Sequence, residues 1–358
     1  MTQRNAFIDA MRGVAALGVV AIHTAFHSGT AYTPSWFQSL TLLVDVPLFF
    51  VLAGWSGGYR VGQVGKTCKS LLTLWLKLAW FCLLLTLVCL LSGLRGPQSA
   101  REWLGSLFFD HKFPSFPVLG SSMWFMPVYV RVVFLCQLAL CLMNWYAAGK
   151  SISPIRLYGL FAGVLLSVYL SINAELPMTG QLTLFPWADP TDVFFLLCWM
   201  AGLFIGLRGW RIRSWKTLAI LMPVCAAGWY LSVRTLQTGF DLQSSKFPPL
   251  LPYAFASCPA IAVMLFLRGR WQPPRWLAHI GQNALFYFCA QGIGGSVLYS
   301  ILPAVQVGSW FLRWLVMLAV NLALTVLLAE ILALLYRLTE KGVRRLWRAV
   351  WPRVRAVI

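Results

Sequence analysis

The chain has 358 residues, of which 59% are hydrophobic and only 11% charged, and its mean hydropathy is +0.73. Ten runs of about 20 apolar residues consume most of that length, which excludes a soluble enzyme and leaves no room for a separate soluble domain. The formal charge of +19 would suggest nucleic acid in a soluble protein, but its placement in the loops between apolar runs argues against that partner.

The pattern predicts an all-α polytopic membrane protein with about ten transmembrane helices, at roughly 7–27, 39–58, 70–92, 119–146, 154–173, 190–207, 216–233, 248–267, 276–300 and 309–337. The first run opens at Phe7, is long enough to span and lacks a convincing cleavage site, so it reads as a retained span. It carries Arg12 near one end and His23 deep inside. Their spacing is three helical turns plus about 20°, which puts both on one face about 16 Å apart along the axis. Ionisable groups inside a membrane are costly enough that a functional site is the default expectation for them.

Span two carries Asp45 and Pro47 near its outer start. His23 and Asp45 both fall roughly 8 Å below the outer surface, which predicts that they pair. A carboxylate there would fix the imidazole tautomer, as in catalytic triads. The alternative is a plain helix N-terminal carboxylate. The basic, glycine-rich loop that follows holds Arg60, Lys66 and Lys69. Trp124, before span four, reads as a packing aromatic or as a sugar platform. Arg131 in span four and Glu330 in span ten are intramembrane charges, each either a structural pair between helices or a substrate contact. Pro248 and Pro249 should block helix until span eight begins. After Thr339 a basic amphipathic stretch predicts a helix lying on the cytoplasmic leaflet, dividing the chain into a membrane domain over 1–338 and a tail over 339–358.

Most of the 29 basic residues fall on one side of these spans. The other side keeps Arg95, Arg101, Lys112, Arg131, Arg234, Lys246 and Arg313. The positive-inside rule then places both termini in the cytoplasm. The nine cysteines lie mainly inside apolar runs without a CxxC, so they read as small buried hydrophobes and no metal site is expected.

Four stretches resemble the acyltransferase-3 family of integral membrane O-acyltransferases. IDAMRGVAALGVVAIH, from Ile8 to His23, looks like the family's first helix, with its arginine and histidine at Arg12 and His23. VPLFFVLAGW from Val46, SMWFMPVYV from Ser122 and GQNALFYFCAQ from Gly281 are similar to its later motifs, in the same order. The sequence departs from the usual pattern at Ala53, often a serine. Pro47 stands where many members carry an acid, and Gln291 where a histidine is often found.

The resemblance implies transfer of an acyl group, usually acetyl, from a cytoplasmic coenzyme A thioester to a hydroxyl of an extracytoplasmic or lipid-linked glycan. Acyl-CoA would be a co-substrate, with no tightly bound cofactor. The expected setting is the bacterial inner membrane, with lipids and glycan-synthesis machinery as partners. In that reading His23 is the general base and Asp45 orients it. Arg12, Arg60, Lys66 and Lys69 hold the phosphates of the donor, which arginine can grip bidentately. Trp124, Arg131, Gln291 and Glu330 are candidates for the polar path or acceptor contacts. Two alternatives stay open: an exporter of polysaccharide or small solutes using His23 and Asp45 as a proton relay, and a non-catalytic scaffold.

Overall fold

Local sequence starts and stops most of the helices. Asn5 presents its side-chain oxygen to the backbone N–H groups of Phe7 and Ile8, at 3.0 and 3.3 Å, and so caps α1 (Ala6–Phe26). A short α2 (Ser35–Thr41) leads through a break into α3 (Val46–Gly58), with Pro47 in its first turn, where the missing N–H costs nothing. Next come α4 (Val64–Ser92), closed by Gly93 in the left-handed region, α5 (Ala100–Leu107), α6 (Pro117–Ser122) and α7 (Phe125–Ala148). Then follow α8 (Pro154–Thr179), α9 (Pro190–Arg208), capped by Asp189, and α10 (Trp215–Leu236), capped by Ser214. The chain closes with α11 (Leu251–Leu267), α12 (Arg275–Gln282), α13 (Ala284–Ile301) and α14 (Trp310–Arg355). The structure, a computed structural model, describes residues 5–26, 32–59, 61, 63–97, 99–107, 113–150 and 152–355, and among them there is no strand.

The all-α class is as expected. Nine helices or near-continuous helix pairs among the described residues are long and apolar enough to cross a membrane. The eighth expected span, 248–267, is shorter than read from sequence: the Pro248–Pro249 pair holds off the helix until Leu251, and α11 keeps 17 residues. That is about 25 Å of helix, at the lower limit for crossing. The expected ninth span, 276–300, breaks at Asn283 into α12 and α13. The stretch after Thr339 continues α14 through Arg355 without interruption, helped by a Glu340–Arg344 pair one turn apart at 2.6 Å. Aliphatic side chains such as Leu90, Leu91, Leu160 and Ile220 point outward from α4, α8 and α10, a surface suited to lipid.

Inside, close helix approaches set the frame. The tightest pair is α3 with α9: Gly54 rests on the backbone of Trp199 and Gly202 on that of Val51, so any Cβ there would strike a carbonyl oxygen. In the same way Gly13 and Gly281 seat α1 against α12. A buried amide–hydroxyl bond from Asn321 to Thr24, 2.9 Å, ties α14 to the upper half of α1. Arg268, at the end of α11, donates to the carbonyls of Ile205 and Trp210 and lies 4.3 Å from the centre of the Trp55 ring. Burial there pulls its pKa below the ordinary range for a guanidinium.

Candidate active site

Two of the cavities among the described residues share lining helices. The larger, about 850 Å³, opens at the end of α1 that carries Arg12. The smaller, about 20 Å³, contains His23. The same four helices line both. From α1, Asp9 and Arg12 face the large vestibule and Val19 and His23 the small chamber. From α3 the division is Ala53, Ser56 and Gly57 against Asp45, Val46 and Phe49. From α7 it is Tyr129, Val133 and Gln137 against Phe125, and from α13 it is Ala284 and Leu285 against Phe288. The helical spacing read from sequence therefore places Arg12 and His23 as expected, each at one of two chambers about 16 Å apart.

In the vestibule the Arg12 guanidinium is held by its own helix and by its neighbour. It pairs with Asp9 one turn earlier at 3.3 Å and donates to the Ser56 hydroxyl at 2.8 Å. Asp9 is buried and also accepts from Gln282 of α12, 3.3 Å. The cation that α4 brings to this space is Lys77, not Lys66 or Lys69. Those two sit exposed on the first turns of α4 and do not line the cavity. Thr67, Ser70, Thr73, Leu74 and Lys77 do, as a stripe repeating every three to four residues on one helix face. Lys77 lies 5.7 Å from the Phe286 ring centre and 5.5 Å from that of Tyr336. That polar stripe was the signal in the sequence for Lys77, which was counted only among the basic residues of the more basic side. Arg60 lies outside the described residues.

In the chamber, Nδ1 of His23 donates to Oε1 of Gln291 at 2.6 Å, with Gln291 fully buried. This leaves Nε2 of the ring as its lone-pair nitrogen. The Nε2 of Gln291 itself has no hydrogen-bond partner among the described residues. The side chain expected to orient His23 from this position, Asp45, lines the same chamber but is engaged elsewhere. Its Oδ2 lies 2.6 Å from Nζ of Lys246 and accepts from the Tyr253 hydroxyl at 2.7 Å, all three groups being buried. Asp45 does stand at the N-cap position of α3, yet its carboxylate makes no capping bond there.

Lys246 was missed by the sequence reading, which counted it as a loop charge. It comes from the segment between α10 and α11, which folds over the chamber as a strap. Leu242 of the strap is buried beside Ile22 and Leu42, and its N–H donates to the Ser39 hydroxyl at 3.1 Å. Leu250 N–H closes the strap on Ser245 O at 2.9 Å. The ammonium then lies 5.8 Å from the Trp124 ring centre and 5.5 Å from that of Phe247, and those two rings meet edge to face at 4.8 Å. Trp124 is thus part of the chamber wall.

Two expected contacts lie away from both cavities. Arg131 forms a two-pronged pair with Asp192 at the start of α9, both bonds 2.9 Å, with Asp189 at 3.8 Å. Glu330 accepts from Tyr287 and meets Nε2 of His279, each at 2.8 Å. Both are structural pairs between helices, one of the two readings the sequence allowed.

A family model described as an acyltransferase domain matches residues 5–330. The chain belongs to the acyltransferase-3 family. The match spans both cavities, the strap and the four helices that line them, so the arrangement above belongs to a membrane protein of a family that transfers acyl groups. No curated protein and no solved structure matches the chain.

Proposed function

We propose that this protein is an O-acyltransferase, with acetyl as the group transferred, that receives coenzyme A thioester in the vestibule and acylates a glycan or lipid-linked sugar hydroxyl at His23. The observation that carries the reading is the shared lining: α1, α3, α7 and α13 each give one set of residues to a basic vestibule and another to a chamber holding an oriented imidazole. By the charge count of the loops the vestibule faces the cytoplasm, where acyl-CoA is made. The donor phosphates meet Arg12 and Lys77, and the acceptor approaches from the side of Trp124 and the strap.

A sugar hydroxyl is a poor nucleophile until its proton has somewhere to go. Nε2 of His23 takes that proton as the oxygen attacks the thioester carbonyl. Gln291 holds the ring in the tautomer whose Nε2 is the accepting nitrogen. The tetrahedral oxyanion is stabilised by the Lys246 ammonium, whose two remaining N–H groups are not needed by Asp45. The carbonyl then re-forms, the C–S bond breaks, and the leaving thiolate takes the proton from His23. Asp45 and Tyr253 keep Lys246 charged and in place.

The test is release of coenzyme A thiol from acetyl-CoA by membrane vesicles that retain their own acceptor. The His23→Ala protein should lose the general-base contribution, about 10²–10⁴-fold in rate, while inserting and melting like the unaltered protein. Transfer that survives the substitution refutes the assignment. Vesicles of the unaltered protein that release no thiol, yet move protons or solute, would instead favour the exporter.

A further inference from the structure

Between the vestibule and the chamber stand three aromatic rings. On α3 the last residue lining the chamber is Phe49, and one turn further Ala53 already faces the vestibule. On α7 the step is from Phe125 to Tyr129, and on α13 from Phe288 to Leu285. Each of the three helices therefore turns an aromatic side chain inward at the same level. The Phe125 ring touches both others, with centres 5.7 Å from Phe49 and 5.6 Å from Phe288. Phe125 is buried and braced from behind by Phe50 and Tyr129, at 5.8 and 5.5 Å, and Phe50 in turn stacks on Phe195 at 4.3 Å. Phe49 and Phe288 are only partly buried, and both line the chamber.

We propose that Phe49, Phe125 and Phe288 form the acyl-size filter of the donor, admitting a two-carbon acyl group to the His23 chamber and refusing chains of four or more carbons. The inference rests on the acyl-transfer reading above and adds to it the side chains that set the length of the acyl group. The chamber, about 20 Å³, is on the scale of a single water. An acetyl carbonyl and methyl need little more than that. Each further methylene must occupy space that the three rings fill, and packed interiors resist such insertion. Discrimination of about 10–200-fold per methylene is what an apolar pocket of fixed size delivers.

The experiment is an acyl ladder of acetyl-, propionyl-, butyryl- and hexanoyl-CoA, with thiol release read in acceptor-bearing vesicles of the unaltered protein and of Phe288→Leu and Phe49→Leu. Expected for the unaltered protein is a fall in kcat/KM at each step, reaching at least ~10²-fold between acetyl and butyryl. Phe288→Leu should narrow that ratio about tenfold, chiefly by raising the butyryl value. A merely structural substitution lowers both values together and leaves the ratio alone. A flat ladder in the unaltered protein, or a ratio unmoved by both substitutions, overturns the filter while leaving the acyltransferase standing. Absence of thiol release from every thioester overturns both, and marks the underlying reading as the one that failed. Where a leucine variant does not insert, the ladder of the unaltered protein decides by itself.

Discussion

The vestibule and the chamber share four helices, yet their polar groups live in different dielectric surroundings. In the vestibule, Arg12, Ser56 and Lys77 border a space of about 850 Å³ that water can fill. In the chamber, His23, Asp45 and Lys246 border about 20 Å³. Charges that face water are screened, and losing one costs the local binding it provided. Charges packed into a dry site depend on each other, and losing one strands its partner. Under the proposed function that difference would divide the labour: donor affinity spread over several tolerant cations, and chemistry on a few groups that cannot be changed singly.

The sharpest way to break this comparison is at the buried pair. Lys246→Met leaves the Asp45 carboxylate uncompensated, with a cost of about 3–5 kcal/mol. The protein should melt earlier in detergent and lose transfer. Combining it with Asp45→Asn removes both charges, and the melting temperature should return most of the way. Transfer should not return: without the ammonium the rate stays about 10²–10³-fold down. A double variant that recovers full turnover would show that the pair only holds the strap, and that the chamber is no more specialised than the vestibule.

How much of this was legible in the sequence follows the range of the interactions. The common face of Arg12 and His23 is a property of one helix, and simple periodicity found it. Asp45 was placed at the right depth because it lies in the span next to His23 in the chain, and it does line the same chamber. Its partners were out of reach, because Lys246 and Tyr253 stand about 200 residues further on, in a strap and a helix whose return to α3 no local pattern announces. Gln291 was noted as a departure from the family pattern and as a polar-path candidate, and its contact with His23 emerges from α13 packing against α1. Lys66 and Lys69 drew attention as cations of a basic loop, whereas the side chain that reaches the cavity is fixed by the face on which Thr67, Ser70 and Thr73 lie.

A gentler substitution tests the other half of the comparison. Arg12→Lys keeps the charge beside Asp9 but loses the planar fork that grips phosphate at two points. One charge-assisted hydrogen bond lost, about 1.5–3 kcal/mol, corresponds to a KM for acetyl-CoA raised about tenfold or more, with kcat little changed. The effect should shrink as salt is raised, because the vestibule is wet. A kcat that falls while KM stays constant would move Arg12 from donor binding into the chemistry and erase the division drawn here.

The smallest expected effect comes from a charge outside both spaces. Arg131 makes a geometrically good fork with Asp192, but its side chain is 47% exposed. Exposed pairs of this kind contribute about 0.2–1 kcal/mol. Arg131→Ala should therefore lower the melting temperature slightly and leave kcat/KM for acetyl-CoA and the acyl ladder unchanged. A double-mutant cycle with Asp192→Asn separates the pair from any second role, since it should return only that small coupling energy. If Arg131→Ala instead raised the KM for acceptor, the outer end of α7 would belong to the acceptor's route.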